Sequence, residues 1–510
     1  MRRIAILLLA ALAGVASAQY TSKGVRLLSH IALNQFPGSP SSGSAINGYT
    51  SASGREYATI GIRNGTAIVD ITNPTAPVTI AHVPGPNSLW HENVVLGDYC
   101  YSVTEGGGGI QVIDLHNVDA GVATLVATWT GGNLNNVHTI EADPATKRLF
   151  ANGTNNGFLI LDASNPTALV ELGRWTTNYV HDCVIRNYTS GPYAGQQIGF
   201  LHCGSAGIKI VNITNPGAAM PTTGALNYYQ GVSTSFYSHS GSLSADNHYL
   251  FANDELDEYY HTASGCTTFV VDVSNLSAPT VASVFNSGVN TIDHNSALRN
   301  GYMFLSAYKS GVRVYNVSNP SSLSEAGFFD TYPGGEGSDS FNGDWGVFSN
   351  FASGNIVLSD IDGGLFVLDP TEAMGYGAPI VSSVLNETSI ALKPTLIRES
   401  DNQYFTIPSG KNRLSLTCVT TMPVRNLVDV HLEVNGSGPF VLHAKNFRTG
   451  ATDTLGTWTL NSTDQLLDVN NLVGTDYINA SGQINLSISA SRGSLGGPFT
   501  KFDQIRVLVH

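Results

Sequence analysis

The sequence predicts an all-β protein in which a seven-bladed β-propeller is followed by a C-terminal β-sandwich, with six blades as the alternative count. Three observations lead to this prediction. A short hydrophobic pattern recurs through the first three quarters of the chain, its copies are spaced by the length of one propeller blade, and short alternating apolar and polar runs follow residue 370.

The chain begins with the residue order of a secretory signal peptide. Two arginines precede an apolar run, and the small residues Ala-Ser-Ala end at Ala18. We therefore expect residues 1–18 to be removed and the mature protein to be secreted, extracellular or cell-surface associated. No later apolar stretch reaches the roughly 20 residues of a membrane-spanning helix, so no transmembrane segment is expected in the mature chain. The final "KFDQIRVLVH" does not suggest a C-terminal anchor either.

The recurring pattern consists of glycine, a β-branched run, Asp or Asn, an apolar residue and, in most copies, Ser/Thr-Asn-Pro. Its acidic or amide position falls at Asp70, Asp114, Asp162, Asn212, Asp272, Asn316 and Asp369. The steps between these positions, 44 to 60 residues, have room for four short strands and their turns. Each copy predicts one buried strand, which Asn-Pro ends because proline cannot donate a hydrogen bond to the ladder.

The two ends of the repeat region suggest how the ring closes. The segment "VRLLSHIAL" (25–33) resembles the last strand of a blade but has no inner strand of its own. We expect it to complete the final blade, which removes the exposed edges of an open sheet. The propeller is thus assigned to residues 19–370, a linker to 371–389 and a jelly-roll-like sandwich to 390–510. Aromatic residues of this last region are either carbohydrate-stacking residues or core residues of a spacer domain: Phe447, Trp458, Tyr477 and Phe499.

The net charge and the cysteines indicate which partners and which disulfide bonds to expect. The net charge of −14 argues against a nucleic-acid partner, so an extracellular protein or a polysaccharide is the expected ligand. Export permits disulfides. Cys183 and Cys203 flank a turn-rich insertion, and closing a loop of that size is worth about 3 kcal/mol. They are the predicted disulfide, and the pairing of the other cysteines stays open: Cys100, Cys266 and Cys418.

A histidine recurs at one position of successive repeats. The five copies are His91, His138, His181, His239 and His294, and Trp345 occupies the same position in the next repeat. The first strand of each blade lines a propeller's central axis, so these side chains are expected to converge at the channel mouth. With Asp182 and Asp293 next to them in sequence, the histidines can bind a divalent metal such as zinc, copper or nickel. Alternatively, each histidine has a structural role inside its own blade.

A second polar concentration lies in "FANDELDEYYH" (251–261). Its carboxylates are Asp254, Glu255, Asp257 and Glu258. Such a density of carboxylates can bind a cation or supply an acid/base pair, and a solvated acidic loop is the alternative. No nucleophile elbow, zincin motif or dinucleotide fingerprint is present.

Residues 25–370 resemble the choice-of-anchor B proteins, which are exported bacterial propellers built on LVIVD-type repeats. The resemblance lies in "REYATIGIRNGTAIVDITNPTAPV", "IDHNSALRNGYMFLSAYKSGVRVYNVSNP" and "FNGDWGVFSNFASGNIVLSDIDGGLFVLDP". It implies an extracellular or surface-associated propeller and brings no agreed catalytic residue.

Two functions follow from these expectations. The first is a secreted binding or scaffold protein that uses the propeller loops and channel mouth, with the sandwich as an accessory domain. The second is a metal-dependent hydrolase or lyase with the histidines as ligands and Asp254 or Glu255 as acid/base. The missing catalytic signature favours the first, non-enzymatic role. Catalytic residues and the cofactor stay unassigned, apart from the candidate divalent metal.

Overall fold

The computed structural model describes residues 20–155, 157–227, 236–260, 264–376, 380–385, 388–390, 405–406, 413–420, 427–436, 438–462, 465–490 and 501–509. Their secondary structure is mainly β-strand. The helical segments are single turns: Leu33–Gln35, Val118–Ala120, Gly191–Tyr193, Glu372–Tyr376 and Gly474–Tyr477. Among the described residues, no helix is long and apolar enough to cross a membrane.

Residues 22–369 form seven antiparallel sheets that follow one another along the chain. Two strands precede them, β1 (Ser22–Lys23) and β2 (Arg26–Ile31). Sheet 1 contains β3 (Gly43–Thr50), β4 (Glu56–Ile62), β5 (Gly65–Asp70) and β6 (Val78–Pro84). Sheet 2 contains β7 (His91–Leu96), β8 (Tyr99–Thr104), β9 (Ile110–Asp114) and β10 (Thr124–Trp129). Sheet 3 contains β11 (Ile140–Asp143), β12 (Arg148–Ala151), β13 (Phe158–Asp162) and β14 (Val170–Trp175).

The remaining sheets repeat this order. Sheet 4 contains β15 (Asp182–Asn187), β16 (Gln197–His202), β17 (Ile208–Asn212) and β18 (Thr222–Leu226). Sheet 5 contains β19 (Ser238–Leu243), β20 (Tyr249–Asp254), β21 (Thr267–Asp272) and β22 (Thr280–Asn286). Sheet 6 contains β23 (Ser296–Arg299), β24 (Tyr302–Ser306), β25 (Val312–Asn316) and β26 (Ser324–Phe329), with β1 at its edge. Sheet 7 contains β27 (Asp344–Phe348), β28 (Ile356–Asp360) and β29 (Gly364–Asp369), and β2 is its fourth strand.

Hydrophobic packing joins these sheets into a ring. Each sheet shares a buried apolar cluster with the next, and the seventh shares one with the first. In that closing cluster, Ala58 and Ile60 of sheet 1 pack with Val357 and Leu365 of sheet 7. The first strands of successive sheets contact one another around the axis. The predicted all-β propeller fold is therefore confirmed, and the described residues form seven such sheets.

The N-terminal segment completes the last sheet, as the sequence predicts. Strand β2 pairs antiparallel with β29, and Leu27 lies opposite Leu368. Strand β2, from the N-terminal end of the repeat region, and β29, its last strand, thus share one sheet, so the ring is closed by backbone hydrogen bonds and needs no extra element. The short β1 was not predicted, and it extends sheet 6 by pairing with Phe328 and Phe329.

The Asp or Asn that recurs in the pattern has a local physical role. All seven acidic or amide positions accept a hydrogen bond from the backbone N–H two residues later, which forms an Asx-turn at the end of the third strand. The glycine at the start of that strand is equally constrained. Gly65 and Gly311 have φ of 146° and 64°, and a Cβ at either would lie 2.1 Å from a carbonyl oxygen of the neighbouring fourth strand.

The C-terminal part contains two sheets that share a hydrophobic core. The larger has the order β31 (Thr388–Ile390), β30 (Ile380–Leu385), β33 (Arg413–Val419), β38 (Gln483–Ala490), β35 (Gly438–Lys445), β36 (Thr452–Leu460). The smaller has the order β32 (Phe405–Thr406), β39 (Lys501–Val509), β34 (Leu427–Asn435), β37 (Gln465–Val473). Their shared core makes this region a β-sandwich. Residues 380–385, assigned to the linker from sequence, form β30 and pair with β33.

The predicted disulfide is wrong. Cys183 and Cys203 are free and buried, as are Cys100, Cys266 and Cys418. In the ladder Cys183 lies opposite Leu201, two residues before Cys203, so the two thiols do not occupy facing positions. Both pack in the hydrophobic cluster between sheets 3 and 4. The segment they flank is held instead by strand pairing and apolar contacts.

Candidate functional site

Four of the five repeated histidines meet at one end of the propeller axis, which we call the mouth. They stand at or just before the start of the first strands of sheets 3 to 6. Consecutive ring centroids are 4.3 Å apart for His138–His181, 4.2 Å for His181–His239 and 4.3 Å for His239–His294. All four side chains are buried. The predicted convergence is therefore seen for these four residues.

Hydrogen bonds to the backbone orient two of these rings. The Nδ1 of His181 donates to the carbonyl of His239 at 2.9 Å, and the Nδ1 of His294 donates to the carbonyl of Trp345. Because a carbonyl accepts but does not donate, the proton of each neutral ring must be on Nδ1. The lone pair is then on Nε2, the atom through which imidazole commonly binds a metal. The Nδ1 of His239 is buried and has no hydrogen-bond partner within the described part of the chain.

Glu255 lies beside the Nε2 atoms. Its Oε2 is 3.7 Å from His239 Nε2, and its Oε1 is 3.8 Å from His294 Nε2. Tyr308 donates its hydroxyl proton to Glu255 Oε1 at 2.8 Å. The ligand atoms of His181, His239 and Glu255 all lie within 4.8 Å of one another. We call His138, His181, His239, His294 and Glu255 the axial cluster.

Burial and neighbouring charges divide the four histidines into two kinds. Burial lowers the pKa of His294 to about 3. Burial, followed by the neighbouring histidines, lowers the pKa of His181 and His239 well below the usual value. At His138 burial opposes the charged form, but the 2.7 Å hydrogen bond from Nδ1 to Glu105 and the charges of Glu105, Glu92 and Glu255 together outweigh burial, and the pKa is raised. Three imidazoles held neutral by burial, two of them with the lone pair on Nε2, are suited to binding a metal ion.

His91 does not join this cluster, which corrects the expectation for all five histidines. Its Nε2 bonds to the carbonyl of Pro86 at 2.6 Å. Successive side chains of a strand point to opposite faces, and here the next residue, Glu92, lies on the axial side. Trp345 donates its indole N–H to Glu92 Oε1 at 2.9 Å, and its ring is 4.8 Å from that of His294. Burial raises the pKa of Glu92 to about 8.

A cavity of about 370 Å³ lies along the axis beyond the histidines. It is lined by the first strands of all seven sheets and includes Glu92, Glu141, Asp182 and Trp345. Asp182 accepts hydrogen bonds from Thr139 Oγ1 and the Cys183 backbone, and burial raises its pKa to about 6. The predicted neighbour Asp182 therefore faces the channel below the axial cluster.

The residues of the acidic loop have different roles. Asp254 accepts backbone hydrogen bonds from Tyr237 and Leu256, one on each carboxylate oxygen. Glu255 joins the axial cluster. Asp257, Glu258 and the predicted mouth residue Asp293 form a separate buried group whose ligand atoms lie within 4.8 Å of one another. The loop is thus largely buried at its carboxylates and is not simply a solvated acidic turn.

Glu105 and Tyr308 were not identified as mouth residues from the sequence, although both lie shortly after the second strand of a repeat. Glu105 immediately follows the second strand of its sheet, as Glu255 does, and Tyr308 is the second residue after β24, so comparing this region of the repeats would have placed all three near the mouth. Tyr308 has φ of 35°, which is uncommon for a residue with a side chain, and a strained residue at a functional site is often held there by its role.

Comparisons with known proteins identify the repeat. A family model described as the LVIVD repeat matches residues 51–83, 153–177, 267–287 and 297–331. Among the curated proteins, none matches the sequence. One matching solved structure is the extracellular domain of a protein described as the hybrid two component system BT4673 from B. thetaiotaomicron, at 14% identity and a TM-score of 0.45. The match covers 77% of this chain and 45% of that one, less than half its length.

Proposed function

We propose that the protein is an exported binding propeller whose mouth holds a divalent transition-metal ion. The carrying observation is the grouping of His181, His239 and Glu255, whose ligand atoms lie within 4.8 Å of one another. A tetrahedral zinc ion with bonds of about 2.0 Å spaces its ligand atoms by about 3.3 Å. The 3.7 Å separation of His239 Nε2 from Glu255 is already close to that spacing.

The choice of metal follows from the donor set. Imidazole nitrogens combined with one carboxylate suit zinc, copper or nickel better than calcium or magnesium. The hydrogen bonds from His181 and His294 to backbone carbonyls, and from Tyr308 to Glu255, are the outer contacts that commonly orient metal ligands. A purely structural role for the histidines would not require the Nε2 atoms of His239 and His294 to lie beside the same carboxylate, Glu255.

The binding role is supported by the surface around the mouth. Exposed aromatic side chains occur there at Trp90, Tyr179, Tyr259, Tyr260 and Phe341. Tyr259 packs on Phe341, and Phe341 packs on Tyr308 of the mouth. Aromatic rings beside carboxylates suit a polysaccharide or an extracellular protein. Export after Ala18, membership of the choice-of-anchor B proteins and an accessory role for the sandwich belong to this proposal.

In the sandwich, two of the candidate stacking residues pack inward. Trp458 and Tyr477 lie against the hydrophobic core, which favours their role as core aromatics. Phe447 is half-buried, and Phe499 lies outside the described residues. We therefore place ligand binding at the propeller mouth and treat the sandwich as an attachment or spacer domain.

A metal-dependent hydrolase or lyase is the second candidate, and the axial cavity favours it. Asp182, the residue that follows His181, lines this cavity, which has room for part of a substrate. Asp254, with both carboxylate oxygens on backbone amides, is unsuited to acid/base work. Of the two acid/base candidates predicted from the sequence, Asp254 and Glu255, this leaves Glu255, which lies at the mouth.

Titration calorimetry tests the proposal on the full mature protein after metal removal. We expect zinc chloride to bind with one-to-one stoichiometry, and a screen of glycans and cell-envelope fractions to find a ligand whose binding requires the zinc-loaded form. Absence of zinc, copper and nickel binding contradicts the metal site. Turnover of ester or glycan substrates by the loaded protein would select the enzyme over the binding protein.

A further inference from the structure

A second buried group of ligand atoms lies away from the axial cluster. We call Asp257, Glu258 and Asp293 the carboxylate triad. The three side chains are 0%, 1% and 0% exposed, and their ligand atoms lie within 4.8 Å of one another. Asp257 and Glu258 follow β20, and Asp293 precedes β23, so the triad joins sheets 5 and 6.

No basic side chain among the described residues forms an ion pair with Glu258 or Asp293. The basic residues of this part of the chain pair elsewhere: Lys309 with Asp339, and Arg313 with Glu325 and Glu336. Several carboxylates buried together without a cation cannot all be ionised, because both burial and mutual repulsion oppose their charge. Either protons or a cation must balance them.

Unpaired oxygen atoms at the triad point to a ligand. Asn253 is 0% exposed and donates from Nδ2 to Asp293 Oδ2 at 2.7 Å. Among the residues that the structure describes, neither the buried Oδ1 of Asn253 nor the Oδ1 of Asp293 has a hydrogen-bond partner. Buried polar atoms are nearly always paired, so two unpaired oxygens beside three carboxylates are an unusual combination. Both atoms are acceptors, which a cation satisfies.

We propose that the carboxylate triad, with Asn253, is a calcium site. The donor set consists entirely of oxygen atoms, which hard cations prefer. Calcium takes six to eight oxygen ligands at about 2.3–2.6 Å in flexible geometry, whereas magnesium demands a near-ideal octahedron and keeps several of its waters. A buried site with three carboxylates therefore suits calcium, and the side chain of Asn253 lies beside it.

Calcium bound at the carboxylate triad would also hold residues of the mouth in place. Asp257 and Glu258 belong to the same turn as Glu255, which is part of the axial cluster. Calcium would tie this turn to Asp293, the residue that precedes His294.

The test uses the full mature protein, freed of metal, with calcium chloride alone as the probe. We expect a calorimetric titration to show one calcium per chain and thermal unfolding to shift upward by several degrees when calcium exceeds its Kd about 100-fold. Glu258→Gln and, as a second variant, Asp293→Asn should remove both responses. Asp344→Asn is the matched control, because Asp344 is also a buried carboxylate with a raised pKa but lies outside the triad.

The sign of the stability change separates the two explanations. A cation site predicts that Glu258→Gln unfolds at the same or a higher temperature than the wild type without calcium, since repulsion is relieved, and at a lower temperature with calcium. A network of protonated carboxylates predicts no calcium response in any variant. Absence of calcium binding by the wild type, or an undiminished calcium response in both triad variants, overturns the proposal.

Discussion

The axial cluster and the carboxylate triad share one turn after β20 but offer opposite donor chemistry. Glu255 lies among imidazoles, whereas Asp257 and Glu258, two and three residues later, lie among oxygen atoms. The axial histidines come from equivalent positions of successive repeats, whereas the triad combines two residues of an insertion in one repeat with Asp293 of the next repeat. The repeat therefore produces a nitrogen-rich site on the axis, and a local insertion adds an oxygen-rich site between two sheets.

The largest expected effect comes from removing two axial ligands. His181→Ala combined with His239→Ala should reduce bound transition metal from about one equivalent to less than about 0.1. Calcium binding should be retained, since neither histidine contributes to the triad. Elemental analysis measures both metals, with circular dichroism as the check on folding. Loss of calcium in a variant that still folds would show that the two clusters are not independent.

A smaller effect is expected from an outer contact of the axial cluster. Tyr308→Phe removes the hydrogen bond to Glu255 while keeping the ring in place, and we expect zinc affinity to fall by about 10- to 100-fold. Calcium affinity should change little, because Tyr308 holds the Glu255 side chain and not the triad. Calorimetry on the same preparation gives both constants. An unchanged zinc Kd would remove Glu255 from the ligand set.

His91 provides the matched control for the axial histidines. It occupies the same repeat position, but its Nε2 bonds to the Pro86 carbonyl. His91→Ala should leave both metal stoichiometries unchanged and lower the free energy of unfolding by about 1–3 kcal/mol, because a buried side chain and its hydrogen bond to the Pro86 carbonyl are lost. Chemical denaturation measures the stability. A loss of zinc would mean that His91 reaches the axis after all.

The smallest effect is expected at Cys266, whose thiol is buried near the triad. A hard cation prefers oxygen to sulfur, so Cys266→Ser should leave the calcium Kd within about twofold of the wild type. A strong weakening of binding, or a preference of the triad for zinc over calcium, would contradict its assignment as an oxygen-donor site.

The architecture could be predicted from the sequence because the features of each repeat are specified by residues close together in the chain. Each Asx-turn and each constrained glycine is specified by residues within one copy, and the leftover strand at the N-terminus predicted how β2 pairs with β29. The same reasoning placed four histidines and Trp345 at the mouth. Side-chain direction was harder to predict: a one-residue change in a strand reverses the face, so Glu92 took the place expected for His91.

Other features depend on contacts between distant segments. The triad unites Asp293 with a loop more than 30 residues earlier in the chain, and nothing in either segment alone specifies the encounter. The predicted disulfide failed for a related reason. Its spacing suited a loop closure, but the register of β15 and β16 places Cys183 opposite Leu201.

The central claim is that the two clusters select different cations, and one measurement tests it most directly. Native mass spectrometry with elemental analysis should be applied to the full mature protein, the double variant His181→Ala/His239→Ala and Glu258→Gln after exposure to equal zinc and calcium. The account predicts one zinc and one calcium in the wild type, loss of zinc alone in the first variant and loss of calcium alone in the second. Absence of both metals from the wild type, or their joint loss in either folded variant, would contradict it.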